Sequence, residues 1–223
     1  MDTKLLCSAV AKFALGVVCT AALLFGPAGT IAFPGGQRLM LLLFVPMFLA
    51  GLVLLAVNPD LLRRRLQAKE TQGGQRRVVA LSGLMFLCGF AAAGLDFRFG
   101  WSAVPGRLSA CAVIVFLVAY ALYAEVLREN TWLSRTIEVQ EGQQVVDTGL
   151  YAIVRHPMYA ASVLLFLSMP LVLGSWVSFA LFLPYPILIA ARIRNEEQVL
   201  EQQLNGYAEY KLRVKYRMIP YIW

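Results

Sequence analysis

The stretch "RHPMYAASVLLFLSMPLVLGSWVSFALFLPYPILIAARIRNEE" (residues 155–197) holds a long apolar run, 158–191, between two groups of polar side chains. As a single α-helix this run would be roughly 50 Å long, too long for one crossing of a ~30 Å hydrocarbon core. Pro170 and Gly174 interrupt the run near its middle, where a turn forms most easily. The stretch therefore predicts a hairpin of two short or tilted membrane helices whose ends both emerge on one side.

Four further uncharged runs precede the hairpin and indicate a membrane protein. Hydrophobic residues make up 59% of the 223 residues, well above the ~45–50% that is usual in soluble domains. The runs are 13–33, 39–57, 78–95 and 108–124. Each has about the ~20 residues that cross a bilayer as a helix. We therefore expect an all-α, polytopic integral membrane helical bundle with four transmembrane helices plus a C-terminal helical hairpin.

Basic residues are concentrated on one side of the predicted membrane. They crowd the segment 58–77 and both flanks of the hairpin, whereas the opposite loops hold only Arg38, Arg98 and Arg107. Because short loops rich in Lys and Arg stay cytoplasmic, both termini and both hairpin ends are expected in the cytoplasm. The net charge of +7 follows from this bias and suits anionic lipid headgroups. No nucleic-acid partner is expected, since no stripe of basic and aromatic residues lies outside the membrane segments.

The polar groups at the two ends of the hairpin contain the residue types suited to chemistry. His156, the only histidine, lies at the first end. Arg192 and Glu196 lie four residues apart at the second end, and so on one face of a helix. If the hairpin forms, the two groups meet at the cytoplasmic interface. Taken singly, these residues have simpler interpretations: Arg155 and Arg192 as topology anchors, and Glu196 and Glu197 as solvated helix residues. Taken together, they are expected to form one interfacial pocket with a cation, carboxylates, phenols and the imidazole.

Several kinds of site have no support in the sequence. One histidine without carboxylates at ligand spacing does not make a metal site, so no metal is expected. No Ser or Cys lies in a nucleophile motif, and there is no glycine-rich phosphate loop. The four cysteines lack CxxC spacing and are expected to be small packing residues.

The chain divides by chemistry into two regions of one structural domain. Residues 1–125 form the expected transmembrane bundle, whose few polar residues lie in loops. Residues 126–223 contain a cytoplasmic loop, the membrane hairpin 158–191 and a cytoplasmic C-terminal helix. Within the loop, "IEVQEGQQVV" (137–146) alternates only loosely and is expected to be extended or looped.

Two motifs around the hairpin carry a family resemblance. "DTGLYAIVRHPMYAA" (147–161) followed by "RIRNEEQVLEQQLNGYAEYKLRVKYRMIPYIW" (192–223) closely resembles the C-terminal signature of the isoprenylcysteine carboxyl methyltransferase (ICMT) family. That family groups with phospholipid methyltransferases among integral membrane enzymes that use S-adenosylmethionine. The resemblance covers about a third of the chain, roughly 140–223, and predicts cytoplasmic cofactor-binding segments. It is strongest to bacterial members, which implies a bacterial inner membrane; the residues that carry this likeness are Leu204, Gly206, Tyr207 and Tyr210.

The resemblance implies a role for each matching residue. S-adenosylmethionine would be held by the first motif, by the segment before it and by one carboxylate of the second motif. These cofactor-binding residues are Gln143, Gln144, Val145, Val146, Tyr151, His156, Pro157, Met158, Tyr159 and Glu196. Arg192 and Glu196 would be the catalytic residues. Arg192 would hold the carboxylate of the methyl acceptor, and Tyr207 and Tyr210 would also contact substrate.

These roles imply an S-adenosylmethionine-dependent methyltransferase that is similar to protein-S-isoprenylcysteine O-methyltransferases. Its acceptor would be an isoprenylcysteine-like carboxylate or another lipophilic or small molecule, methylated at the cytoplasmic membrane interface among membrane lipids. One alternative is an NADPH-dependent membrane reductase of the sterol-reductase type, whose C-terminal half resembles this one. Another is a non-catalytic membrane sensor or scaffold that keeps the pocket. The oligomeric state stays open at this point.

Overall fold

The computed structural model describes residues 3–66, 73–134 and 136–223 of the chain. Within these ranges the backbone forms nine α-helices and one 3-10 turn, with no strand. The helices are α1 (Thr3–Ala28), α2 (Pro34–Val57), α3 (Pro59–Leu66), α4 (Gly73–Phe99), α5 (Gly106–Glu129), α6 (Pro157–Leu173), α7 (Trp176–Phe182), α8 (Tyr185–Gln203) and α9 (Tyr207–Arg213). The 3-10 turn spans Gly149–Ala152. The prediction of an all-α bundle is confirmed.

Five helical segments are long and apolar enough to cross a membrane. They are α1, α2, the part Gln75–Phe99 of α4, α5, and Trp176–Gln203 in α7 and α8. Only 6% of the most apolar window of α1, and 6% of that of α2, is buried inside the protein. Leu15 and Leu41, for example, are 63% and 65% exposed. Apolar surface of this extent is stable against lipid rather than water, and the chain is an integral membrane protein.

The helices extend beyond the apolar runs that predicted them. α1 begins at Thr3 rather than at residue 13, and α4 begins at Gly73 rather than at residue 78. Adding a residue to an existing helix gains a hydrogen bond without the cost of a new nucleus, so polar residues next to an apolar run join the helix. Hydropathy therefore marked the centre of each helix and not its ends.

A short helix, α3, lies in the basic segment 58–77 that was expected to be a loop. The side chain of Asn58 caps it, because its Oδ1 accepts a hydrogen bond from the backbone N of Leu61 at 3.0 Å. Lys12 of α1 donates from Nζ to the backbone oxygen of Leu66 at 2.7 Å and so ties the end of α3 to the bundle. Residues 67–72 of the predicted loop lie outside the described residues.

The C-terminal part of the bundle is the predicted helical hairpin. α6 ends at Gly174, whose φ of 86° is left-handed and reverses the chain. Ser175 then caps α7 by accepting a hydrogen bond from the backbone N of Ser178 at 3.0 Å. Pro170 stays inside α6, so the turn lies at the glycine alone. The second arm continues as α8 to Gln203 without a break at residue 191, and Arg192 and Glu196 stand on the same helix as the membrane segment.

A buried carboxylate fixes the turn of the hairpin to α4. Asp96 is 1% exposed. It accepts hydrogen bonds from the backbone N and the hydroxyl of Ser102, both at 2.6 Å, and from the hydroxyl of Ser175. The hydroxyl of Ser102 also accepts from the backbone N of Trp176 at 3.0 Å. Three donors compensate for burying this carboxylate, and the hairpin is held at its closed end.

Two glycines let helices pack at short distance. A Cβ on Gly35 of α2 would lie 2.2 Å from the backbone oxygen of Leu173 in α6. A Cβ on Gly94 of α4 would lie 2.5 Å from the backbone oxygen of Leu24 in α1. Small residues at such crossings are typical of membrane helices, since close backbone approach supplies the van der Waals contact that holds them together.

Candidate functional site

A cleft opens at the end of the hairpin opposite to its turn. Its walls are the 3-10 turn, the start of α6, the second half of α8, α9 and the irregular segment 130–146. The space between these walls is about 840 Å³, open solvent included. The predicted site residues that line it are Gln143, Gln144, Val145, Val146, Tyr151, His156, Met158, Tyr159, Arg192, Glu196, Tyr207 and Tyr210. The structure thus brings both sequence motifs to one cavity.

Pro157 is the predicted site residue that does not line the cleft. It is buried as the first residue of α6, directly after His156. Proline suits this position because its fixed φ matches the helix and its missing N–H would have had no helical partner. Pro157 therefore starts the helix that carries Met158 and Tyr159 into the cleft.

Tyr159 connects the two polar residues of α8. Its hydroxyl donates to Oε2 of Glu196 at 2.5 Å and accepts from Nε of Arg192 at 2.8 Å. The guanidinium carbon of Arg192 also lies 5.9 Å from the centre of the Tyr159 ring. Because residues 192 and 196 are one helical turn apart, one phenol from α6 reaches both. The cleft therefore presents a cation and a carboxylate side by side in a fixed order.

Glu197, expected from the sequence among the carboxylates of the pocket, lies in the site region, but its partners were not foreseen. Its side chain is 4% exposed, and its Oε1 accepts from Nε and Nη2 of Arg155, both at 2.8 Å. The same oxygen lies 3.3 Å from Nε2 of His156, and Oε2 accepts from Nε of Arg217 at 2.9 Å. Its burial contradicts the simpler interpretation of Glu197 as a solvated helix residue. Its partners Arg155 and Arg217 are far away in sequence, so no local pattern indicated these contacts.

The last residues of the sequence pass behind the cleft and bind the Arg155–His156 turn. Arg155 and His156 donate their backbone N–H groups to the backbone oxygens of Tyr216 (2.9 Å) and Arg217 (2.7 Å). The Nη1 of Arg155 donates to the backbone oxygens of Val214 (2.6 Å) and Lys215 (2.9 Å). Arg155 is 6% exposed, so the interpretation of this residue as a topology anchor at the membrane surface is wrong. It holds the segment 214–217 against the start of α6.

The 3-10 turn is attached to the end of α5. Glu129 accepts the backbone N–H of Leu150 at 3.0 Å through Oε2, and Asn130 donates from Nδ2 to the hydroxyl of Tyr151 at 3.0 Å. Gly149 has a φ of 50°, and a Cβ there would lie 1.3 Å from Oε1 of Glu129. Only glycine fits this approach, which explains the Asp-Thr-Gly sequence before the turn.

Segment 130–146 forms one wall of the cleft without helix or strand in its described residues. The expectation for 137–146 is confirmed. The lining residues that the sequence reading missed are Asn130, Trp132, Leu133, Ser134, Thr136, Ile137, Glu138, Arg155, Leu200 and Leu204. Most of them come from this wall, which has neither periodicity nor a motif that could have marked it.

Three buried tyrosines make up much of the remaining surface. The hydroxyl of Tyr210 donates to the backbone oxygen of Tyr151 at 2.7 Å and joins α9 to the 3-10 turn. The hydroxyl of Tyr207 is buried and has no hydrogen-bond partner among the described residues. Burial raises the pKa of Tyr151, Tyr207 and Tyr210 well above the ordinary value, and the nearby carboxylates of Glu197 and Glu196 add to the shift at Tyr207. All three phenols therefore stay protonated at neutral pH.

No group of three or more His, Cys, Asp or Glu side chains that could hold a metal ion occurs within 3–66, 73–134 and 136–223. The donors and acceptors of the cleft include instead the guanidinium groups of Arg155 and Arg192, the carboxylates of Glu138 and Glu196, an imidazole, several phenols and the peptide groups of segment 130–146. This set suits an organic ligand that carries both charged and hydroxyl groups.

The sequence and the fold are similar to those of known membrane methyltransferases. Residues 100–206 match the model of the phospholipid methyltransferase family. The fold is similar to that of the eukaryotic intramembrane Ras methyltransferase ICMT (isoprenylcysteine carboxyl methyltransferase), with a TM-score of 0.58. That similarity covers 96% of this chain and 77% of the other at 20% sequence identity, so it concerns the fold alone. Residues 100–206 are thus similar to phospholipid methyltransferases, and the fold of the whole chain is similar to that of ICMT.

The phospholipid methyltransferase match covers segment 130–146, the first motif and residues 192–206 of the second motif, and it ends before Tyr207 and Tyr210. A second similarity is to Delta(14)-sterol reductase TM7SF2 of Mus musculus, at 33% identity over 91 residues. It covers 40% of this chain and 22% of the reductase, so the match spans about a fifth of that protein's length. The phospholipid methyltransferase match therefore includes the cleft-lining residues up to Leu204.

Proposed function

We propose that this chain is an S-adenosylmethionine-dependent membrane methyltransferase. The observation that carries the proposal is that Arg192 and Glu196 both contact the hydroxyl of Tyr159. This contact lies inside a cleft that is lined by residues of both sequence motifs. A transferase must hold two ligands next to each other, and this arrangement offers adjacent groups of opposite charge. The match of residues 100–206 to the phospholipid methyltransferase family supports the same reaction type.

The cleft fits S-adenosylmethionine, which would supply an electrophilic methyl group on a sulfonium. Glu196 offers a carboxylate to an ammonium or to ribose hydroxyls. The buried hydroxyl of Tyr207 has no partner among the described residues, and a hydroxyl in that state costs about 1–3 kcal/mol unless a ligand or water satisfies it. The peptide groups of 143–146, with Tyr151, His156 and Met158, would complete the contacts. Pro157 would act through its helix rather than by contact.

Arg192 would hold the methyl acceptor. Its planar guanidinium can bind a carboxylate with two parallel hydrogen bonds, which a lysine cannot do. The helix that carries it continues into the membrane arm, so an acceptor with a lipid tail would reach Arg192 from the bilayer. The proposed acceptor is thus an isoprenylcysteine-like carboxylate or another lipophilic or small molecule, with Tyr207 and Tyr210 also contacting substrate.

The protein's contribution would be to position the two ligands and exclude water. Holding reactants in line can lower a barrier by roughly 7–11 kcal/mol. Tyr159 keeps Arg192 and Glu196 in a fixed relation, and Glu197 anchors the Arg155–His156 turn on the other side of the cleft. Residues 126–223 would then form the catalytic region and residues 1–125 the supporting transmembrane bundle of the same domain.

The basic residues support a proposal for orientation. The cleft lies on the same side as the Lys- and Arg-rich segments, which stay cytoplasmic in short-looped membrane proteins. Both termini would be cytoplasmic, and the membrane would be a bacterial inner membrane. The water-soluble donor would arrive from the cytoplasm and the lipophilic acceptor from the lipid.

A reductase of the sterol-reductase type is the second candidate, because the chain is similar to part of such an enzyme. NADPH would require basic side chains for its 2′-phosphate. Among the described residues that line the cleft, the cations are Arg155 and Arg192, and every nitrogen of Arg155 already contacts Glu197 or a backbone oxygen. The cleft is therefore better suited to S-adenosylmethionine.

Calorimetry on the purified chain tests the proposal. S-adenosylmethionine is expected to bind to the wild type and to bind more weakly to Glu196→Gln, whereas NADPH is expected not to bind. Membranes incubated with methyl-labelled S-adenosylmethionine should then yield a methylated product by mass spectrometry. Absence of S-adenosylmethionine binding by a folded wild-type protein would overturn the proposal, and NADPH binding would favour the reductase.

A further inference from the structure

Behind the cleft, α9 and the residues after it form a second, shallow hollow with an excess of positive charge. It is lined by Lys211, Lys215, Arg217, Leu212, Arg155 and Glu201. Glu201 contacts Lys211. The exposed ammonium of Lys215 adds a further positive charge, and the side chain of Arg217 is 30% exposed although its Nε contacts Glu197. The hollow is therefore suited to a negatively charged ligand.

Exposed apolar side chains occur in the same segment of the chain. Leu212, which lines the hollow, is 79% exposed, and Tyr221 and Ile222, which follow the lysines in sequence, are 88% and 77% exposed. They belong to the segment whose Met218 is 7% exposed and packs in the core of the bundle, in the same cluster as Ile193 of α8. One side of the segment is thus built into the bundle, and the other presents large apolar groups next to lysines. A soluble anion would leave these apolar groups in water, whereas a lipid surface would cover them.

We propose that this face, formed by residues 211–222, binds anionic phospholipids of the leaflet on the side of the cleft. The lysines would contact the headgroup phosphates, and Leu212, Tyr221 and Ile222 would lie at the boundary between headgroups and acyl chains. Basic residues directly after a membrane helix are attracted to anionic leaflets in this way. The proposal does not depend on the reaction that the cleft performs.

The same contacts connect the lipid face to the cleft. Arg217 reaches from the hollow to Glu197, which also holds Arg155 and lies beside His156. The backbone oxygens of Tyr216 and Arg217 accept the N–H groups of Arg155 and His156. Lipid that holds 211–222 in place therefore also supports the turn that lines the cleft.

Hydrogen–deuterium exchange of the whole chain in nanodiscs tests the lipid face. The peptide spanning 207–223 should exchange more slowly in phosphatidylglycerol-containing discs than in pure phosphatidylcholine discs, by about fivefold for each lysine that engages a headgroup. The Lys211→Gln, Lys215→Gln variant should lose this difference. Arg128→Gln, Arg194→Gln removes the same charge from exposed positions outside the hollow and should keep the difference.

Three results would overturn the proposal. The wild type could exchange equally in both discs, or the lysine variant could keep the full difference. Inorganic phosphate added to phosphatidylcholine discs could also reproduce the protection, which would indicate a site for a soluble anion. The Tyr221→Ser, Ile222→Ser variant leaves every charge in place. It should also reduce the difference in exchange rate between the two kinds of disc, so the test does not rest on the stability of one variant.

Discussion

Arg192 and Glu196 are joined through a single atom, the hydroxyl oxygen of Tyr159, at 2.8 and 2.5 Å. Tyr159→Phe removes both hydrogen bonds and keeps the ring. Hydrogen bonds to charged groups contribute about 1.5–3 kcal/mol each, so kcat/KM is expected to fall by about 10- to 100-fold. Steady-state methylation assays measure this loss.

Tyr185→Phe is the matched control for that substitution. Its hydroxyl contacts Ser162 at 3.3 Å and does not line the cleft. We expect its kcat/KM to stay within about threefold of the wild type, since a single neutral hydrogen bond contributes only ~0.5–1.5 kcal/mol. Equal losses in both phenylalanine variants would show that the bridge at Tyr159 has no special part in turnover.

Arg192→Lys is expected to separate acceptor binding from cofactor binding. Lysine keeps the positive charge and loses the two-pronged geometry, so KM for a carboxylate acceptor should rise by about tenfold or more. The affinity for S-adenosylmethionine, measured by calorimetry, should change little. Arg194→Lys is the control, because Arg194 is exposed and lies outside the cleft. A large loss of cofactor affinity in Arg192→Lys would contradict the assignment of this residue to the acceptor.

Substitution of the adjacent residues Glu196 and Glu197 should affect different properties, cofactor affinity for Glu196 and stability for Glu197. Glu197→Gln leaves the buried guanidinium of Arg155 and the partly exposed one of Arg217 without a counter-charge, and loss of the buried pair costs about 3–5 kcal/mol of unfolding free energy. Glu196→Gln should preserve stability and weaken cofactor binding by about 10- to 100-fold. Thermal unfolding and calorimetry on the two variants distinguish these effects. Similar unfolding temperatures for both would show that the Glu197 cluster does not support the fold.

Gly149→Ala and Gly142→Ala form a matched pair with different surroundings. Both positions have a positive φ, 50° and 73°, so alanine is strained at either by about 1–2 kcal/mol. At Gly142 the added Cβ meets nothing within 4 Å, whereas at Gly149 it would overlap Glu129. We expect Gly149→Ala alone to displace the turn that carries Tyr151 and to lower cofactor affinity. Equal binding by both variants would contradict the importance of this turn.

The apolar pattern was sufficient to predict the bundle and its hairpin. Runs of uncharged residues indicated the membrane helices, and Gly174 marked the turn because no other residue type adopts its φ as easily. The pattern could not give the helix ends, since hydrogen bonding continues into polar residues such as those from Thr3 onward. It also did not predict α3, because the three consecutive arginines of this helix make its hydropathy too low for a membrane helix.

The site could be predicted only as far as its motifs extended. The family resemblance indicated residues such as His156 and Arg192, which the fold places around one cleft, while their roles stay predictions. The ion pairs of Glu197 were not predicted because its partners, Arg155 and Arg217, are distant in sequence and become neighbours only when the segment 214–217 folds back. The wall that contains Trp132 was missed because irregular backbone has no period to detect.

The unbroken α8 helix has a consequence for the surroundings of the protein. Tyr185 is the first residue of α8. At 1.5 Å per residue, Arg192 lies ~10 Å from it along the helix axis. A bilayer of different thickness cannot change the length of α8. It must instead tilt the helix, or shift the cleft relative to the boundary between lipid and water. The depth of the Arg192 guanidinium relative to the lipid boundary therefore depends on membrane thickness, and we expect the rate of the proposed reaction to depend on acyl-chain length.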